Sequence, residues 1–300
     1  MAIKTVRAQV NGTWHTLTLN SSTKKYEASI TAPTTSSYNQ PNHYYNITVE
    51  ATNAAGTTVT ANGTTLSGLR LVVKEKTAPI ITITAPTASS TLTNNKPTII
   101  WTVTDADSGV NPSTISIKID SGSVIKSDIT KTASDKGYTC SYVPTTALTD
   151  GSHTITINAS DYDGNAATAK SVTFKVDTTP PTLSVSSPAA GLITNTVALT
   201  VSGTTNDATS SPVTVKITLN GANQGTVTVA SSGAFSKAVT LREGNNTIVV
   251  TATDAVGKAS TITRTVTLDT SAPKIAAATI TPNPADVGAT VLISVTITEE

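Results

Sequence analysis

The chain has one cysteine, Cys140, in 300 residues, so no disulfide can form within it. Aromatic residues make up 4% and charged residues 13%. The formal net charge of +1 is too near neutral for a surface that tracks phosphates, which argues against nucleic acid as a partner. No window has the apolar periodicity of an amphipathic helix of three turns, and no run approaches the length needed to span a membrane. The stretch from Met1 to Arg7 lacks the apolar segment of a signal peptide, so synthesis in the cytoplasm without a secretory signal is expected. The three histidines, His15, His43 and His153, are far apart in sequence, and no nucleophile elbow, glycine-rich phosphate loop or Cys/His zinc spacing is present. The chain reads as non-enzymatic.

What is abundant is threonine, serine, valine, isoleucine and alanine. Thr, Val and Ile are stiff at χ1 and suit a pleated, half-buried surface, so the reading is all-β. Threonine also offers a hydroxyl to water, so outer faces stay wet without charge. A ten-residue phrase recurs three times, at Ile47–Gly56 (ITVEATNAAG), Ile155–Gly164 (ITINASDYDG) and Ile248–Gly257 (IVVTATDAVG). The copies begin 108 and then 93 residues apart, the size of a self-contained sandwich. Each is followed by another strand-like run and a proline seam, at Pro79, at Pro180–Pro181 and at Pro273. These seams divide the chain into 1–76, 77–178, 179–270 and a remainder, 271–300. The first three are expected to be tandem immunoglobulin-like β-sandwiches, joined by linkers that proline stiffens.

Within this plan, Asn11-Gly12 between alternating runs predicts a hairpin, and Asn220-Gly221 predicts another turn. Ile99–Val103 reads as a central strand with Trp101 as its core aromatic, and Cys140 as a buried, inert thiol. Residues 271–300 spell the first two strands of a further sandwich. Two strands alone are marginal in water, so Ile280, Val291, Ile293, Val295 and Ile297 are expected to dock on another surface, either a copy of the same chain or another particle protein.

The pattern resembles bacterial Ig-like repeats. The residues that carry the likeness are Ala252-Thr253-Asp254-Ala255-Val256-Gly257, its looser copies at 51–56 and 159–164, and the seams Asp177–Pro181 and Asp269–Pro273. Ser37-Tyr38-Asn39-Gln40-Pro41 leading into Tyr44-Tyr45, together with Ile280-Thr281-Pro282-Asn283-Pro284, is similar to Ig-like proteins found among phage tail genes. That second resemblance implies a structural or decorating protein of a phage virion, tail-associated, displaying its domains for weak multivalent attachment to bacteria. The alternative is a segment of a bacterial cell-surface adhesin or stalk.

Two sets of residues invite a binding role. Asp105 and Asp107 share one loop, and Asp161, Asp163 and Asn165 share another, each with a glycine close by. Alternating oxygen ligands beside a glycine suit calcium. The competing reading is that Asp and Gly form turns and cap their own backbone, and the same choice applies to Asp177 and Asp269 at the seams. Tyr38, Tyr44 and Tyr45 cluster in an aromatic-poor chain and mark a surface for a bacterial glycan or protein.

Overall fold

The computed structural model describes residues 2–299 and is all-β. Among these residues the only helical turns are three short 3₁₀ segments, Ser37–Asn39, Pro41–His43 and Ser67–Leu69. The chain forms two compact units, Met1–Val176 and Asp177–Glu300.

The first unit opens with a five-stranded antiparallel sheet in the order Lys25–Glu27, Thr13–Asn20, Ile3–Val10, Thr48–Asn53, Thr58–Asn62. Asn11 and Gly12 both take positive φ (45° and 81°), as the tight turn between its first two strands requires. Period-two alternation buries Val6, Ala8 and Val10 on one face. On the other side of the same strand, Arg7 lies 4.4 Å over the Trp14 ring and bonds Glu50 at 2.7 Å.

A sandwich of two four-stranded sheets follows. One sheet runs Thr130–Ser134, Gly137–Tyr142, Ile99–Thr104, Ile80–Ala85; the other runs Val110–Ile119, Gly151–Asp161, Lys170–Val176, Thr91–Leu92. Three consecutive alternate residues, Ile99, Trp101 and Val103, are wholly buried and pack with Ile115, Ile117, Ile155, Ile157 and Phe174. Cys140 stands directly opposite Trp101. Burial pushes its thiol up to about 11, against a smaller downward pull from Lys131.

The second unit repeats this plan. Strands Thr182–Ser187, Ala198–Asn206 and Ala234–Thr240 form one sheet. Leu192–Thr194, Ala259–Leu268, Gly244–Thr253, Thr214–Leu219 and Ala222–Asn223 form the other. In both sandwiches a short early strand pairs in parallel with the last long one, Thr91–Leu92 with Lys170–Val176 and Leu192–Thr194 with Ala259–Leu268. The strand orders are those of an immunoglobulin-like sandwich. Asn220 and Gly221 turn the chain with φ of 50° and 82°. Outward-facing hydroxyls pair across strands, as in Thr154–Thr173 at 2.9 Å and Thr156–Ser171 at 2.8 Å, which keeps the faces polar without charge.

Beyond the second sandwich, Lys274–Thr281 pairs only with Leu292–Thr298 among the described strands. Ile280 faces Ile293, Ala278 faces Val295 and Ile275 faces Ile297. Every one of these side chains is exposed. Of the residues expected to dock, Ile280, Ile293, Val295 and Ile297 lie in this ribbon and Val291 directly precedes its second strand.

Candidate metal centre

The phrase that repeats in the sequence ends each time in the same local device. Its seventh residue is Asn53, Asp161 or Asp254, and in each copy Oδ1 accepts backbone N–H bonds from the turn that follows. Asn53 Oδ1 takes Ala55 N at 2.9 Å and Thr57 N at 3.0 Å. Asp161 Oδ1 takes Asn165 N at 2.8 Å. Such Asx turns explain why Asn, Asp and Gly stand there.

In the first unit this turn meets two further acids. Asp105, directly after strand Ile99–Thr104, bends its own loop by accepting Asp107 N at 3.1 Å and Gly109 N at 2.8 Å through Oδ1. Glu75 reaches in from the segment ahead of strand Ile80–Ala85 and accepts Ser108 N at 2.6 Å. One oxygen each of Glu75, Asp105 and Asp161 lies within 4.8 Å of the others, a spacing that could hold a cation. The sequence singles out Asp105 and Asp161 but misses Glu75, which lies thirty residues before Asp105 and in no motif.

The other three residues singled out for calcium do different work. Asp107 accepts Ser36 N with both carboxylate oxygens at 3.0 Å, while its carbonyl takes Asn39 Nδ2 at 2.5 Å. Asp163 Oδ2 accepts Glu75 N at 3.0 Å. Asn165 Nδ2 donates to Asp161 Oδ2 at 2.7 Å and to the Glu75 carbonyl at 3.2 Å. These bonds fasten residues 36–39 and 74–75 to the two acidic loops. A recess of about 440 Å³ opens beside them, bordered by Asn39, Asp105, Asp107, Lys136 and Tyr162.

The tyrosines split up. Tyr38 is half-buried and stacks between His43 and Tyr162, with ring centroids 4.1 Å away on both sides. Burial, helped by Tyr38, raises the Tyr162 phenol above its ordinary value. Tyr44 lies beneath the Arg70 guanidinium at 5.1 Å. Tyr45, expected on a contact surface, is instead buried, its hydroxyl bonded to Thr35 Oγ1 at 2.6 Å and to the Thr35 carbonyl at 3.2 Å. A tyrosine whose ring and hydroxyl are both engaged inside the fold has no face left for a partner.

His153 is structural as well. It is buried with Nδ1 2.8 Å from Asp120 Oδ2 and Nε2 2.7 Å from the Thr149 carbonyl. Burial pulls its pKa down, but the Thr149 carbonyl and the Asp120 carboxylate outweigh this and hold it above the usual value.

Residues 79–157 match the family described as Bacterial Ig domain, and residues 181–270 match Glucodextranase, domain B. No curated protein matches the chain. Among solved structures, the tetra-tandem repeat in the extending region of a large adhesion protein is 20% identical, with 98% of this chain and 79% of that one covered and a TM-score of 0.36. Immunoglobulin domains 1–5 of Sidekick-1 are 12% identical over 99% of this chain and 60% of theirs, with a TM-score of 0.42. The fibronectin(III)-like modules of Clostridium thermocellum CbhA are 18% identical over 63% of this chain and 94% of theirs, with a TM-score of 0.32. The fold is that of tandem Ig-like sandwiches, and the family match is confined to residues 79–157 and 181–270. No helix among the described residues is long and apolar enough to cross a membrane.

Proposed function

We infer that the chain is a non-enzymatic spacer and display segment of the bacterial surface-adhesin kind, in which Ig-like sandwiches follow one another to hold a binding element away from a surface. The observation that carries this reading is the recurrence of one strand order in successive sandwiches, together with the fastening of residues 36–39 and 74–75 onto the next sandwich by Asp107 and Asp163. Side chain-to-backbone bonds of this kind suppress bending at a junction. The match of residues 79–157 to a bacterial Ig domain fits the same reading. The exposed apolar ribbon at 274–298 serves as an assembly face, through which the chain meets a copy of itself or a neighbouring protein.

The virion placement expected from Ser37–Pro41 and Ile280–Pro284 draws no support from these matches and forms the second arm of the test. Antibody-gold labelling of the native protein on intact cells and on purified phage particles separates the two. Label on cell surfaces supports the adhesin segment. Label confined to particles transfers the same display role to a virion, and label found only inside cells overturns both.

A further inference from the structure

The strongest unexplained feature lies in the second unit. Asp177, Asp207 and Asp254 are all buried, and one oxygen of each lies within 4.8 Å of the others. Each Oδ1 already serves a turn. Asp207 Oδ1 accepts Thr209 N at 2.8 Å and Ser210 N at 2.7 Å. Asp254 Oδ1 accepts Val256 N and Lys258 N, both at 2.9 Å, and Asp177 Oδ1 accepts Thr179 N at 3.3 Å.

The second oxygens are another matter. Asp177 Oδ2 and Asp254 Oδ2 are sealed from solvent and have no hydrogen-bond partner among the described residues. The Arg7–Glu50 and His153–Asp120 ion pairs involve none of the three acids. Buried carboxylate oxygens lacking both donors and counter-charge are strongly unfavourable. Turn formation accounts for one oxygen of each residue and leaves the other unexplained in Asp177 and Asp254.

We propose that Asp177, Asp207 and Asp254 form a calcium-binding site. The donor set is oxygen only, which suits a hard cation. Calcium takes its oxygens at roughly 2.3–2.6 Å, so two ligands of one ion can stand up to about 5 Å apart, and the 4.8 Å spread fits within that. Asp207 also lines a recess of about 240 Å³ with Thr205, Ser211 and Gly233, which gives the ion a route from solvent. Burial first, and the neighbouring charge of Asp207 next, hold the Asp177 carboxyl above the usual carboxylate range, with a smaller push from Asp254 and opposing pulls from Thr179 N and from the nearby Ser210 hydroxyl, itself outside hydrogen-bond geometry.

The arrangement recurs along the chain. Glu75 and Asp105 are thirty residues apart, as are Asp177 and Asp207. In each pair the first acid stands five residues before one strand and the second directly follows the next long one. Asp269 and Glu299 keep the same spacing around the C-terminal ribbon. A residue that only forms its own turn needs no partner thirty positions away, whereas a shared ion does.

Calorimetric titration of the metal-free full chain with calcium chloride at neutral pH tests this, beside Asp254→Asn, Asp177→Asn and Asp161→Asn. The wild type and Asp161→Asn should show a binding event that either of the other two variants weakens at least about 100-fold. Without calcium, Asp254→Asn should melt no lower than wild type, because one repelling charge is gone and the new amide can donate to Asp177. Calcium should then raise the melting temperature of the wild type but not of this variant. Asp177→Asn, whose only turn bond is long, serves where Asp254→Asn fails to fold. Absence of calcium binding by the wild type, or undiminished binding by the Asp177 and Asp254 variants, overturns the proposal.

Discussion

Gly203 and Phe235 face each other across two neighbouring strands of the second unit, and the glycine makes room for the ring. A Cβ on Gly203 would lie 2.7 Å from Phe235 Cζ and would run into the Ser184 carbonyl. In the first unit the equivalent cross-strand pair is Trp101 and Cys140, with the large and small members exchanged between strands. Each sandwich thus fills the centre of its core with one aromatic and one small residue.

Gly203→Ala should therefore destabilise the second unit by about 2–3 kcal/mol, the upper part of the range for overpacking. Chemical denaturation of the full chain, followed by a probe in that unit, reads this directly. A loss below about 0.5 kcal/mol would show that the strand carrying Ser184 yields freely.

Asp107→Ala removes the acceptor of Ser36 N, and a buried or half-buried donor left alone costs about 1–3 kcal/mol. The expected result is early proteolytic cleavage near residues 33–43 while the following sandwich stays intact. Tyr38→Ala, which empties the stack between His43 and Tyr162, should act in the same direction.

His153 has a folded pKa above its ordinary value. Its clamp between Asp120 and Thr149 is satisfied at both ring nitrogens only in the protonated form. The stabilisation should be complete below the ordinary histidine pKa of about 6.5 and fade as pH rises through the folded value. Urea midpoints at pH 6 and pH 8.5 should differ in the wild type, and His153→Gln should flatten the difference.

With its pKa near 11, the Cys140 thiol is ionised in about one molecule in a thousand at pH 8, and the residue is fully buried. A thiol reagent should react with the folded chain only at the rate of unfolding and within seconds in denaturant. Rapid reaction under native conditions would contradict the packing around Trp101.

Removing residues 271–300 tests the assembly face. Light scattering should find a defined oligomer for the full chain and a monomer without the ribbon. The same mass for both would retire Ile280, Val291, Ile293, Val295 and Ile297 as docking residues.

Much of this fold is legible in the sequence because its signals are local. Alternation places Ile99, Trp101 and Val103 inward, and Asn11-Gly12 and Asn220-Gly221 mark turns that only positive φ can make. The acidic loops are half legible. Asp105 and Asp161 stand out because their neighbours are acidic too, yet Asp107 and Asp163 cap backbone N–H groups of distant segments, and nothing local distinguishes the two uses. Asp207 and Asp254 each stand alone in their loops. Only the thirty-residue spacing, which spans a whole strand pair, would have joined Asp207 to Asp177. Tyr45 shows the opposite error, because clustering in sequence says nothing about which ring turns inward.

The parallel pairing of an early strand with the last strand has a mechanical consequence. Tension that enters a sandwich at its first strand and leaves at its last loads those parallel hydrogen bonds together, in shear, instead of peeling them one by one. The second unit joins three residue pairs this way, Leu192–Val266, Ile193–Thr267 and Leu268–Thr194, where the first joins two, Thr91–Lys175 and Leu92–Val176. A pulled chain should yield first in the sandwich built around Trp101, which would act as the extensible link and protect the one that follows.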